Sequence, residues 1–471
     1  MKKILLTILL LASVSFGQTI TVNTASSFQT WKGWEVTAQG AHEYLVPAYT
    51  FEYPSTSYAI YDGDLFTATQ DLGLDRWRVE WNFRDWNATA YDPDNGNVAT
   101  QPSTNPSHFR NDRVRRAMDS IILPYESATG TTQRVVICLV DFDDAGYDAE
   151  NTPSEYAAVV LAIVNDFFSA YGRRPYAIEA ILEPDGGENT TNWTAAKLAD
   201  NIVAANTALT GAGHTGIKWI APSTTIGANA NVWYEAMIAH NASVQALLDE
   251  ITYHLYVPLD NDGRNILRDN LEADGKSAAM TEWIAATHLT LYDDLIHARV
   301  SSWQQYVWAF PNSGWPGGGD VYFDINTTTW AVTLAPRTRY LRHYMKYVRT
   351  GAVRKGVTNS SGNFLGVPFQ NANGSVVVPV NALTSGTVNV TGLPNGTYGR
   401  CVTIGDGTSA PSSFNSCASD VVVTSASDNV ALTFSGAGVG TVFDVNFSQS
   451  AGAVKGQASG TVRLSGGARF N

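Results

Sequence analysis

The chain has 471 residues, 44 % of them hydrophobic and only 15 % charged, and a formal net charge of −13 at pH 7. That length exceeds one ordinary domain and suits a large domain joined to a smaller one. Acidity unbroken by any Lys/Arg cluster argues against nucleic acid and anionic membrane surfaces as partners, and three cysteines are too few for a disulfide scaffold or a zinc site.

The N-terminus reads Met1-Lys2-Lys3, then an apolar run over 4–14, then Ser15-Phe16-Gly17-Gln18. A basic start, a short apolar stretch and small residues near a cut site predict a secretory signal peptide over 1–17, cleaved after Gly17. The expectation is therefore an exported protein: extracellular, periplasmic or on the cell surface. No later window holds the roughly 20 apolar residues of a membrane span. Loss of Lys2 and Lys3 takes the net charge from −13 to −15, and richness in Gly, Ser, Thr and Asn suits a neutral substrate.

A first short strand is predicted at 19–23. From there to about residue 310, apolar strands alternate with helical segments. The strands are predicted at 33–36, 76–81, 135–140, 177–183, 218–222, 250–256, 278–282 and 302–309, with helical patterns between them such as 154–171, 193–210, 232–240 and 291–299. Eight such units predict a (β/α)8 TIM barrel over 18–348. A doubly wound open sheet is the rival, but no Gly-rich phosphate loop follows the first strand. Residues 339–348 predict the last barrel helix. Beyond Gly351 short Val/Thr/Phe runs alternate with turn signals such as Asn373-Gly374 and Pro394-Asn395-Gly396, predicting an antiparallel β-sandwich over 349–450 that strand 19–23 can join. The Gly/Ser-rich tail, 451–471, is either a last strand or unpaired. Cys138 lies in an apolar run and reads as an inert core residue. Cys401 and Cys417 are either an oxidised pair or two free thiols.

Barrel enzymes react at the C-terminal ends of their strands. The fourth strand ends Leu182-Glu183-Pro184 and the seventh ends Thr281-Glu282-Trp283. A glutamate closing an apolar strand loses hydration and needs a reason to be there. Two carboxylates across a barrel mouth are the minimum equipment for glycoside hydrolysis, one protonating the leaving oxygen and the other attacking the anomeric carbon. Glu179 shares the parity of Glu183 but lies deeper and reads as a buried, partnered residue. Asp141, Asp143 and Asp144 read as a solvated loop or a subsite wall. Trp81, Trp86, Trp193, Trp233, Trp283 and Trp315 are candidates to line a cleft, since sugar faces stack on aromatic rings.

Several segments resemble the clan A glycoside hydrolases, and family 30 and its relatives most: Phe28-Gln29-Thr30-Trp31-Lys32-Gly33-Trp34 at strand one, Leu72-Gly73-Leu74 with Trp77-Arg78 at strand two, Glu183-Pro184, Met280-Thr281-Glu282-Trp283, and Arg349-Thr350-Gly351-Ala352-Val353-Arg354 where barrel meets sandwich. The resemblance runs along nearly all of the mature chain. It implies that Glu183 is the acid/base and Glu282 the nucleophile, with Arg78 holding Glu282 ionised. His254 and Tyr256 would both face Glu282, because alternation sets them on one face. Trp303 would be the sugar platform, with Trp308 as the competing choice. No metal and no cofactor are implied, and the expected form is a monomer acting on a polysaccharide or oligosaccharide.

One position departs from the pattern. The family carries Asn before its acid/base, where it binds the sugar 2-hydroxyl; this chain has Leu182. Either another residue takes over, Asn82 or His254, or the substrate differs at C2. The expected function is that of a secreted retaining glycosidase, and a row of cleft aromatics favours internal cutting of a β-linked polymer over action from its end. Two rivals stay open: a catalytically inactive glycan-binding barrel, and a glycosidase of small glycosides or glycolipids.

Overall fold

A computed structural model describes residues 17–40, 58–83, 111–141, 149–186, 193–311, 321–326 and 328–447. Residues 1–16 of the leader, Trp86, Asp143, Asp144, Trp315 and the 451–471 tail lie outside the described residues.

The first strand, β1 (Gln18–Thr30), is followed by eight barrel strands: β2 (Gly33–Gly40), β3 (Leu74–Asn82), β4 (Arg134–Val140), β5 (Ala177–Glu179), β6 (Lys218–Ile226), β7 (Leu248–Val257), β8 (Ser277–Glu282) and β9 (Ser302–Trp303). All neighbours are parallel, and β9 returns to β2 through Gly33↔Ser302 and Trp34↔Trp303, so the barrel closes. Helices such as Pro153–Tyr171, Ala195–Gly211 and Asn261–Ala273 pack outside. Outward strand residues, among them Trp34, Trp77, Val79, Ile137, Leu139, Trp219, Ile251 and Met280, join the main apolar core with the helices.

Strand eight is shorter than predicted. After β9 the chain runs through Gln304, Gln305 and Tyr306 before β10 (Val307–Pro311), which pairs with β2 and with β11 (Val321–Ile325); β12 (Val332–Leu334) completes this side sheet. Gln304 folds back, its amide donating to the Thr281 carbonyl, and Gln305 donates to the Val321 carbonyl. Side-chain amides thus take over where the strand ladder is interrupted.

The helix Pro336–Met345 leads into a sheet built from β13 (Val353–Asn359), β14 (Phe364–Gly366), β15 (Phe369–Gln370), β16 (Val376–Ala382), β17 (Gly386–Thr391), β18 (Gly396–Ile404), β19 (Ser413–Val423), β20 (Val430–Phe434) and β21 (Gly438–Asp444). Val378 and Val380 of β16, Val388 and Val390 of β17, Tyr398 of β18 and Leu432 and Phe434 of β20 share one core. β1 lies in this sheet between β13 and β17, antiparallel to the first and parallel to the second, so one junction is not antiparallel. Cys401 and Cys417 stand directly opposite on β18 and β19 and form a disulfide.

Two buried histidines mark the seam between the lobes. His343 lies 3.1 Å from the Thr441 hydroxyl and 2.8 Å from that of Thr403. His288 stacks on Tyr340 and lies against Gly407, where a β-carbon would come within 2.5 Å of the imidazole. Gly407 also has φ 87°, so a side chain there is excluded twice over.

Candidate active site

The inside of the barrel is ionic where many barrels are filled with branched apolar side chains. Alternation along β3 turns Arg76, Arg78 and Glu80 to one face and Trp77, Val79 and Trp81 to the other. Deepest, Arg76 meets Glu250 and Glu35, each at 2.8 Å, and Ser301 and Ser302 donate to Glu250 at 2.6 and 2.9 Å. Burial alone would raise the Glu250 pKa, but Arg76 and Lys32 bring it down to about 2. Glu35 goes the other way, because burial outweighs Arg76.

One layer up, Arg78 donates to Glu179 through Nε at 2.7 Å and Nη2 at 2.9 Å, and to Glu282 through Nη1 at 2.6 Å. Nη2 also lies 3.3 Å from the Cys138 sulfur. Burial opposes the Arg78 charge, yet Cys138, Glu179 and Glu282 outweigh it and hold the guanidinium charged. Burial would also raise Glu179, but Arg78 lowers it. Glu179 is thus the buried, partnered residue its depth implies. Burial lifts the Cys138 thiol far above its usual range, which keeps it unreactive.

At the mouth, Glu183 is 9 % exposed and Glu282 5 %. The regular ladder of β5 stops at Glu179, four residues before the predicted end. The backbone from 180 to 183 still bonds to its neighbours: Leu182 N–H donates to the Leu139 carbonyl at 2.8 Å and Glu183 N–H to that of Ser223 at 3.0 Å. Glu183 itself has φ 48°, a left-handed conformation that a glutamate seldom adopts. Pro184 follows and bars any further ladder.

His254 and Tyr256 do not serve one carboxylate. Tyr256 donates to Glu282 Oε1 at 2.7 Å, whereas His254 Nδ1 lies 2.6 Å from Glu183 Oε1. The physical reason is reach. One oxygen or nitrogen each from Glu183, His254 and Glu282 falls within 4.8 Å of the others, so His254 can bond to one glutamate while its neighbour on β7 bonds to the other. Burial would lower the His254 pKa, but the Glu282 charge and the hydrogen bond with Glu183 raise it. These three side chains are also a group that could ligate a divalent cation.

Trp303 is corrected as a sugar platform. It is fully buried in the outer core, its indole donating to Asp294 at 3.0 Å, because its parity on β9 points it at the helices. Trp308 is equally buried and donates to Thr69. Among the cleft candidates Trp81 and Trp193 are buried, Trp193 donating to Asp141 at 3.1 Å, so Asp141 is an enclosed acceptor and not a solvated loop residue. Trp233 and Trp283 keep part of their surface exposed. Leu182 packs on Cys138 and Val140, and Asn82 pairs in register with Val140 on the next strand.

Two groups escaped the sequence reading. Glu80 repeats the parity of Arg78 one step nearer the mouth, and burial raises its pKa against the pull of Arg78. Tyr306 is buried beside Glu282 in the break between β9 and β10. Parity along β3 was a usable signal for the first; the second depends on an interruption that no spacing shows.

No family model matches the chain, and no curated protein matches its sequence. Solved structures do match its fold. The catalytic domain of a GH30 xylanase C from Talaromyces cellulolyticus aligns with TM-score 0.64 at 16 % identity, covering 90 % of this chain and 99 % of that one. A GH30 endoxylanase from Clostridium papyrosolvens gives TM-score 0.62 at 16 % identity with the same coverage. An endo-β-1,6-glucanase gives 0.63 at 14 % identity, covering 90 % of this chain and 93 % of its own. The barrel with its appended β-domain is therefore the fold of these three solved structures, and it is the architecture that the resemblance along the sequence implied.

Proposed function

We propose that the chain is an exported glycoside hydrolase that cleaves a β-linked polysaccharide internally with retention of anomeric configuration. The observation that carries this reading is the approach of the Glu183 and Glu282 side chains to within 4.8 Å. Retaining enzymes set their carboxyl groups about 5–5.5 Å apart and inverting enzymes roughly 6.5–9.5 Å; one oxygen of each glutamate within 4.8 Å of the other favours the closer arrangement.

In the first step Glu282 attacks the anomeric carbon while Glu183 gives its proton to the departing oxygen, leaving a glycosyl ester on Glu282. In the second, Glu183 takes a proton from a water that attacks the same carbon and releases Glu282. Arg78 and Tyr256 each give one hydrogen bond to Glu282, which holds its carboxyl group in place for attack. His254 holds Glu183 in register across the mouth.

The test is a panel of β-linked polysaccharides digested by the protein and by Glu183→Gln and Glu282→Gln, with the anomer of the first-formed product read by proton NMR. A ladder of β-anomeric oligosaccharides from the wild type and loss of about 1,000-fold or more in both variants is the expected result. Inverted product would overturn retention, a single monosaccharide would overturn internal cutting, and binding without new reducing ends would make the barrel a glycan-binding module.

A further inference from the structure

A second concavity lies at the opposite pole of the barrel from Glu183 and Glu282. It has a volume of about 240 Å³, and its lining combines the apolar Phe28, Leu271 and Ala298 with the cations Lys32, Lys276 and Arg299. Ser277, the first residue of β8, also lines it, whereas Glu282 is the last residue of that strand. At about 3.3 Å per residue the two sites are roughly 17 Å apart along the strand.

Three features set this pocket apart in a chain of net charge −13. First, its cations outnumber its carboxylates: Lys32, Arg268, Lys276 and Arg299 line it beside a single acid, Glu272. Three of the four are compensated, Lys32 by Asp249 at 3.0 Å, Arg268 by Asp269 at 2.7 Å and Arg299 by Glu272 at 2.6 Å. Lys276 forms no ion pair within 4.0 Å among the described residues: its ammonium donates to the Leu248 carbonyl at 2.7 Å, and burial lowers its pKa, with Asp249 and Asp274 offsetting this only in part.

Second, Arg299 sits in the left-handed region, with φ 50° and ψ 46°, at the end of the helical turn Asp294–Ala298. Glycine or asparagine is the usual occupant there, and a long side chain crowds the following carbonyl at a steric cost. The arginine is kept at that cost, and its Nε is buried without an acceptor among the described residues. Third, Phe28 is flanked by the guanidinium groups of Arg299 at 4.6 Å and Arg354 at 4.0 Å, which fixes an aromatic surface beside the cations.

We infer that this pocket is a non-catalytic site for one acidic sugar residue, with Lys276 and Arg299 taking its carboxylate or sulfate and Phe28, Leu271 and Ala298 meeting its ring. Its volume is that of a monosaccharide unit, not of an oligosaccharide. Charge selects the anion, and the apolar lining selects a pyranose C–H face over a bare ion. Such a site would hold the protein on a polymer bearing acidic units while leaving the catalytic mouth free. It rests on the pocket alone and not on cleavage.

Binding is measured directly, by isothermal calorimetry of the full mature chain with sodium glucuronate, glucose 6-sulfate, glucose and inorganic sulfate. Saturable millimolar binding of glucuronate or of the sugar sulfate, with none of glucose, is expected; which of the two binds names the acidic group. Lys276→Gln and Arg299→Gln each weaken binding about tenfold, the size of one lost charge-assisted hydrogen bond, with melting temperature and polysaccharide activity unchanged. Inorganic sulfate bound as tightly as the acidic sugars would overturn the sugar assignment. Undiminished glucuronate binding by Lys276→Gln would place the ligand elsewhere, and no binding of either acidic sugar would end the proposal.

Discussion

Arg78 joins Glu179 and Glu282, three groups on three strands in direct hydrogen-bond contact. Removing one partner of a buried network leaves the others uncompensated, which costs about 3–5 kcal/mol. Arg78→Gln is therefore expected to lower both activity and thermal stability. Tyr256 is different, since it is 37 % exposed and gives Glu282 one hydrogen bond. Tyr256→Phe should leave the melting temperature unchanged and reduce kcat/KM by about 10-fold to 100-fold, on the scale of one charge-assisted bond of 1.5–3 kcal/mol. Calorimetry and kinetics on the two variants separate these effects; equal loss of stability in both would remove the distinction. At this scale the sequence shows the two glutamates and Arg78, because strand-end position and parity are local properties. It does not show that His254 leaves Glu282 for Glu183, because that depends on how closely two distant strand ends approach. Nor does it show that Trp303 faces the helices, since aromatic residues serve core and cleft alike.

The elements themselves were mostly legible. Apolar runs of strand length alternating with amphipathic helices define the barrel, and boundaries such as Pro153–Tyr171 fall within a residue of the periodic pattern. The misses are irregular ones, the early end of β5 and the interruption after β9, where tertiary hydrogen bonds replace the ladder. Among elements of the sandwich, β19 is the one held least from outside. It is an edge strand, exposed along residues 416–420, and the Cys401–Cys417 bond ties it to β18 across a loop of sequence separation 16. Closing a loop of that length is worth about 3 kcal/mol. The double variant Cys401→Ser, Cys417→Ser should accordingly lose stability in chemical denaturation while keeping its activity, and amide exchange should rise first along β19. Uniform exchange across the sheet would show that the bond does not anchor this strand.

For the whole molecule, the response to mild acid is set at the seam, while the lowered carboxyls of Glu250 and Glu179 inside the barrel add their own loss at lower pH. Burial lowers the pKa of His343 to about 3 and that of His288 to about 4, from an ordinary 6.5. Both are neutral when folded and take up protons once released, so their contribution is complete above pH 6.5 and falls as pH drops toward 4 and then 3. His254 has the opposite sign: its raised pKa adds stability below 6.5, lost as pH rises through the folded value. The melting temperature should therefore fall on acidification below about pH 6.5, and His343→Gln should flatten that fall. An unchanged acid slope in His343→Gln would place the acid-sensitive groups elsewhere.

The place of β1 bears on the order in which the chain can be completed. Val22 pairs with Val357 and Ile20 with Val390, so the first strand made stands in the middle of a sheet whose other members follow roughly three hundred residues later. The barrel can close while this strand waits, but the second lobe cannot close without it. Cutting the gene at the apparent boundary would strand β13 and β17 on either side of a gap. A separable second lobe would have to carry residues 18–30 with it, moved to the other end of its chain.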